Sequence, residues 1–88
     1  MRKVITGHAL VTKNGQYLVF EQTGNTDIEV IGFDDPDYAT LFTFENAKQE
    51  KYHMLSRTGA WDYHFIPSDA PEKIVKITKE ITIEEVSG

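Results

Sequence analysis

Cysteine is absent from this 88-residue chain, and that absence removes several chemistries at once. Disulfides, thiolate zinc sites and thiol nucleophiles are all excluded. Small secreted domains usually offset a thin core with disulfides, so a cysteine-free chain of this length is expected in a reducing, cytoplasmic compartment. Long apolar runs are also missing. Nothing approaches the roughly 20 apolar residues a membrane span needs. Behind Met1-Arg2-Lys3 the apolar stretch is broken by Thr6, Gly7 and His8, too early for a secretion signal. The length allows one domain, residues 1–88, and the 40% apolar and 26% charged content is that of a folded protein.

The third absence is of positive charge. From Asn14 to Ala47 there is no Lys, Arg or His, while Glu21, Asp27, Glu29, Asp34, Asp35, Asp37 and Glu45 give the segment −7; the remainder of the chain carries +2. Direct nucleic-acid binding requires clustered cations that displace counterions from phosphates, and no such cluster exists. A partner protein with a basic surface suits this segment, with Asp27, Glu29, Asp34, Asp35 and Asp37 as the expected contact residues. The competing reading is a solvated acidic surface that only keeps a small domain soluble.

The clearest local signal is Asn14-Gly15, a pair that favours a two-residue type I′ hairpin turn. Strands over Val4–Thr12 and Tyr17–Gln22 are expected around it. A two-residue loop sets Val11 opposite Leu18, Ala9 opposite Phe20 and His8 opposite Glu21, with Val11, Leu18, Ala9, Phe20 and Ile5 on the core side. A turn cluster from Thr23 to Asp27 leads to a third strand, Ile28–Phe33. Pro36 ends it, with Asp35 able to cap one short helical turn. Ala39–Thr43 reads as a brief extended piece. A helix follows from about Phe44 to Arg57, capped by Thr43 and closed at Gly59, with Phe44, Ala47, Met54, Leu55 and Thr58 on one face. Lys51 falls within that stripe and has to reach outward.

Trp61–Ile66 alternates like a half-buried strand, and Ile74–Val86 is the longest strand candidate, with a bulge or strand end expected at Lys79. The order β-β-β-α-β-β predicts an α+β domain: a mainly antiparallel sheet of about five strands with one helix packed on one face.

Catalytic signals are sparse. Asp62 and His64 sit two residues apart on one strand face and could supply two ligands of a metal, with His8 as a third. That spacing motivates a metal-dependent hydrolase as an alternative reading. A surface Asp and His flanking aromatic core positions explains the same residues with fewer demands. No serine lies in a nucleophile elbow, Gly24 and Gly32 lack the context of phosphate loops, and Glu84-Glu85 point to opposite faces. The sequence therefore reads as non-enzymatic and without a cofactor.

From Asp35 to Val86 the order of features is an Asp-Pro turn, ATLFTFENA (Ala39–Ala47), a helix, a glycine and the terminal EKIVKITKEITIEEV (Glu72–Val86). This order resembles small orphan phage and prophage proteins of low-GC Gram-positive bacteria. In those an A-x-x-F-x-x-x-x-x-A pattern opens the helix and an acidic strand ends the chain; Ala39, Phe42 and, loosely spaced, Ala47 meet it here. Such proteins mostly lack an assigned activity, and some small acidic ones bind and disable host factors, including defence nucleases; the resemblance implies that role as one expectation here. A further reading is a self-associating structural domain, a homo-oligomer formed through the exposed edge of the long last strand.

Overall fold

The structure, a computed structural model, describes residues 1–87. Its strands are β1 (Arg2–Thr12), β2 (Tyr17–Gln22), β3 (Asp27–Phe33), β4 (Asp62–His64) and β5 (Pro71–Thr82), with one helix, α1 (Phe44–Ser56), between β3 and β4. They form one sheet in the order β4-β3-β2-β1-β5, antiparallel except for the β3–β4 pair. The expected α+β architecture and element order are present. No helix among the described residues is long and apolar enough to cross a membrane.

The first turn differs from expectation. Only Gly15 has positive φ there, at 81°. The loop has three residues, Lys13 to Gly15, closed by the Thr12 N–H donating to the Gln16 carbonyl at 2.9 Å and the Gly15 N–H donating to the Thr12 carbonyl at 3.0 Å. This is the three-residue hairpin that needs a left-handed glycine at its last position only. Val11 consequently faces Tyr17 rather than Leu18. A one-residue slip moves a strand's side chains to the other face. Leu10 and Leu18 therefore share the helix side, clustered with Val30, Ala47 and Met54. Ala9 and Val11, expected on that side, are buried on the opposite one. His8 lies across from Lys76 of β5, away from Glu21.

Beyond the turn β1 and β2 part, and the segment Thr40–Phe42 enters the gap. The Thr40 N–H donates to the Leu18 carbonyl at 3.1 Å, and the Phe20 N–H donates to Thr40 Oγ1 at 2.8 Å. His8 and Phe42 exchange two backbone hydrogen bonds of 2.8 Å. The brief extended piece expected here thus completes the backbone pairing of two strands. Leu41 lies so close to Gly7 that a Cβ on that glycine would stand 2.7 Å from the Leu41 Cβ.

Thr43 caps α1 as expected, its hydroxyl accepting from the Asn46 N–H at 3.1 Å. The C-terminal cap is Arg57, held left-handed at φ 54°, two residues before the glycine expected to close the helix. Of the expected apolar stripe, Ala47 and Met54 are buried, whereas Phe44 and Leu55 are 48% and 55% exposed. The stripe is narrow because a single short helix spans the sheet. Asp35 caps the 3-10 turn Pro36–Tyr38, its carboxylate accepting from the Asp37 N–H at 2.9 Å.

The half-buried alternation from Trp61 to Ile66 holds, although only Asp62–His64 joins the sheet. β5 ends at Thr82, short of Val86, and runs past Lys79 without a bulge; the register shift lies between Val11 and Thr12. Lys79 is instead accommodated by reaching the Asp37 carbonyl at 2.9 Å.

Truncating Leu18, fully buried in the Leu10–Val30–Met54 cluster, is expected to cost about 3 kcal/mol, whereas Leu55→Ala should cost less than about 0.5 kcal/mol. Urea denaturation of both variants checks this. Similar losses for the two would show that Leu55 is packed.

Candidate functional site

Pairing registers place Glu21, Val19 and Tyr17 of β2 beside Glu29, Ile31 and Phe33 of β3. These side chains share the sheet face away from the Leu18–Val30 core. Asp27 and Glu29 continue it to Asp62 and His64 of β4. Next to Phe33 the 3-10 turn brings in Tyr38, whose ring centroid lies 5.4 Å from that of Phe33. Ile31, Phe33 and Tyr38 are 37%, 39% and 62% exposed. They form an apolar strip, whereas Phe20, Phe42, Tyr63 and Phe65 pack against the core on the other side.

The five acids singled out from sequence fall into two groups at the ends of this strip. Asp27 and Glu29 stand at one end; Asp34, Asp35 and Asp37 stand at the other, roughly 20 Å along the strand. At the first end, Asp27 Oδ1 is 2.9 Å from His64 Nε2, an ion pair whenever that imidazole is protonated. Glu29 is flanked by Glu21 and His64, and Asp62 accepts a hydrogen bond from Thr26 at 3.3 Å. At the second end, Asp34 accepts from Gln16 at 3.4 Å and Asp35 is occupied as a cap. Among the described residues none of these three carboxylates is in a salt bridge. The Lys79 ammonium donates to the Asp37 backbone carbonyl at 2.9 Å.

Beside the acidic end is a cleft. β4 stops pairing at His64 and the chain leaves β3 through Phe65 and Ile66, opening a space of about 610 Å³ whose walls include Glu29, Ile31, Arg57, Tyr63, His64 and Asp69. The Arg57 guanidinium lies 5.5 Å from the Phe65 ring centroid, over its face. The sequence reading ended the helix near Arg57 but assigned the left-handed position to Gly59, so the place of Arg57 beside the cleft was not foreseen. Arg57 has a left-handed backbone, φ 54°, and lines the cleft.

The metal-hydrolase constellation does not assemble. His8 is on β1, at least three strand spacings or about 14 Å from β4, and on the helix side of the sheet, with its ring 5.4 Å from that of Phe44. Asp62 and His64 contact Thr26 and Asp27. Among the described residues no group of three His, Asp or Glu side chains is arranged to hold a metal.

One titratable group is strongly perturbed. The Tyr63 hydroxyl donates to the Glu50 carboxylate, tying β4 to α1. Burial, then the hydrogen bond and negative charge of Glu50, raise its pKa well above the usual phenol value.

No family model, curated protein or solved structure matches this chain.

The raised Tyr63 pKa has a sign that can be tested. An unfolded chain releases a tyrosine proton near pH 10, while the folded phenol retains it, so this contribution is complete below about pH 10 and declines as pH rises further. Tyr63→Phe should cost about 1 kcal/mol at pH 7. The gap from the unmodified protein should narrow above pH 10, as read from urea midpoints at each pH. A gap constant to pH 11 would contradict the assignment.

Proposed function

We propose that this chain is a non-enzymatic binding module that docks a partner protein on the outer face of β3. The apolar centre of the interface is Ile31, Phe33 and Tyr38, and Asp27, Glu29, Asp34, Asp35 and Asp37 form its acidic rim. One observation carries the reading: an exposed, ring-paired Phe33 and Tyr38 beside Asp34, Asp35 and Asp37, none of which is in a salt bridge among the described residues. Buried aromatic anchors supply most of the affinity in protein interfaces, and rim charges mainly govern encounter rate and the choice of partner. The partner's matching surface is apolar at its centre and lined with Lys and Arg.

The resemblance of residues 35–86 to small phage and prophage proteins supports a host protein as that partner, met in the cytoplasm. Association of this kind inhibits by occupancy: the module covers a basic surface that its target needs for another ligand. It requires no catalytic group on this chain.

Immobilised protein exposed to a bacterial lysate provides the test, followed by kinetic measurement on whatever protein is retained. Replacing Asp34, Asp35 and Asp37 together by Asn keeps the Asp35 cap acceptor. The triple variant should associate about tenfold more slowly at low salt and show a flatter salt dependence. Tyr38→Ala should mainly speed dissociation, by tenfold or more. A retained partner that binds both variants as the unmodified protein does would refute this face as the interface.

A further inference from the structure

The sheet has an open edge of unusual length. β5 is the last strand in the order β4-β3-β2-β1-β5 and pairs with β1 from Thr82 back to Pro71. Among the described residues no strand lies on its outer side. Past Gly7, where Leu41 ends the packing on β1, Arg2–Thr6 and Thr78–Thr82 continue as a two-stranded ribbon. This ribbon helps to stretch the molecule to 50 Å against 28 and 23 Å in the other directions. It leaves Val4, Ile81 and Ile83 exposed. Two strands alone are marginally stable in water, and a third or fourth is what stabilises such a ribbon.

Backbone geometry identifies the groups on the free edge. Met1 and Ile83 exchange hydrogen bonds, N–H of Ile83 to the Met1 carbonyl at 2.7 Å and the Met1 amine to the Ile83 carbonyl at 2.9 Å. In an antiparallel ladder such reciprocal pairs alternate with pairs that direct their backbone groups away. Ile81, Lys79, Ile77 and Val75 therefore face β1, and Thr82, Glu80, Thr78, Lys76 and Ile74 offer N–H and C=O groups outward. On β1 the same alternation turns His8 away from β5, where it meets Phe42.

We infer that two copies of this chain pair through their β5 edges, antiparallel, about a twofold axis at Thr78. This register sets Lys76 opposite Glu80 of the second copy, twice by symmetry. Ile74 meets Thr82, Val75 meets Ile81, and Thr78 meets its own equivalent. Opposite charges directly across a strand pair are favourable and like charges are unfavourable. Moving the axis to Lys76, to Lys79 or to Glu80 sets that charged residue against itself. Moving it to Ile77 leaves Lys76 facing Thr78, with no opposite charges paired. Among axes from Lys76 to Glu80, charge thus selects the one at Thr78. The result is a four-stranded sheet across the two ribbons, with Ile81 beside Val75 of the other copy.

Sedimentation velocity from about 2 to 200 µM tests this, using the unmodified protein, Lys76→Glu, Glu80→Lys and the double exchange. The unmodified protein is expected to dimerise within that range. Each single reversal creates two like-charge pairs across the interface, Glu80→Lys also losing the exposed Arg2 pair within each copy, and should raise the dimer Kd about tenfold or more; the double exchange should restore it to within about threefold. Circular dichroism checks that each variant folds. Independently, Thr78→Cys should form a disulfide-linked dimer under mild oxidation, since equivalent residues on the axis lie within disulfide reach. An unmodified protein that stays monomeric at 200 µM overturns the inference. So does a dimer indifferent to both single reversals.

Discussion

The fold depends on how the backbone groups of β1 and β2 are satisfied after the two strands separate. They pair beside the first turn and then diverge, and Thr40, Leu41 and Phe42 take up the places each strand leaves vacant. A buried strand with unpaired N–H and C=O groups is costly, so this short insertion decides whether the sheet can open at all. It also fixes what lies on either side of it. The 3-10 turn that precedes it contacts Phe33 through Tyr38, on the outer face; the helix that follows starts at Phe44 and covers Leu10 and Leu18. Gly7 is required for the same reason, since a side chain there would collide with Leu41.

This insertion also marks where sequence reasoning reached its limit. Strand and helix positions followed from alternation, β-branching and the Thr43 cap, all of which act over a few residues and survive in the folded chain. Hairpin register is set by one dihedral angle. Asn14-Gly15 is compatible with a two-residue loop and with a three-residue loop that uses only the glycine, and no periodicity separates them. Choosing the first moved Leu10 off the core face and placed Val11 and Ala9 there. The helix stripe was overestimated at Phe44 and Leu55 because periodicity gives a direction and carries no information about the width of the surface beneath. The helix end near Arg57 was legible, but its left-handed backbone was not, since a non-glycine cap of that kind has no composition signature.

The acidic segment was legible as charge and only partly as geometry. Alternation along β3 puts Asp27 and Glu29 on one face with Ile31 and Phe33, which a sequence pattern can specify; the turn at Asp34–Asp37 depends on Pro36 and the Asp35 cap. The separation of the two groups has a physical consequence. Roughly 20 Å exceeds the screening length of about 8 Å at physiological ionic strength, so the two ends act as independent electrostatic features. Each meets its own cations on a partner, and the apolar strip between them determines how far apart those cations must be.

The outer face of β3 and the edge of β5 lie toward opposite margins of the sheet, with β2 and β1 between them. Pairing through β5 would leave the acidic face of each copy open, and a dimer would then carry two such faces. A second binding event on a shared target becomes intramolecular, so two modest interfaces can hold a repetitive or oligomeric partner more tightly than one. Lys79 connects the two regions, since its stem lies within β5 and its ammonium anchors the Asp37 carbonyl. Removing that contact would loosen the turn that presents Tyr38 while leaving the outward hydrogen-bonding groups of β5 in place. The edge and the face are therefore separable by substitution, although one side chain bridges them.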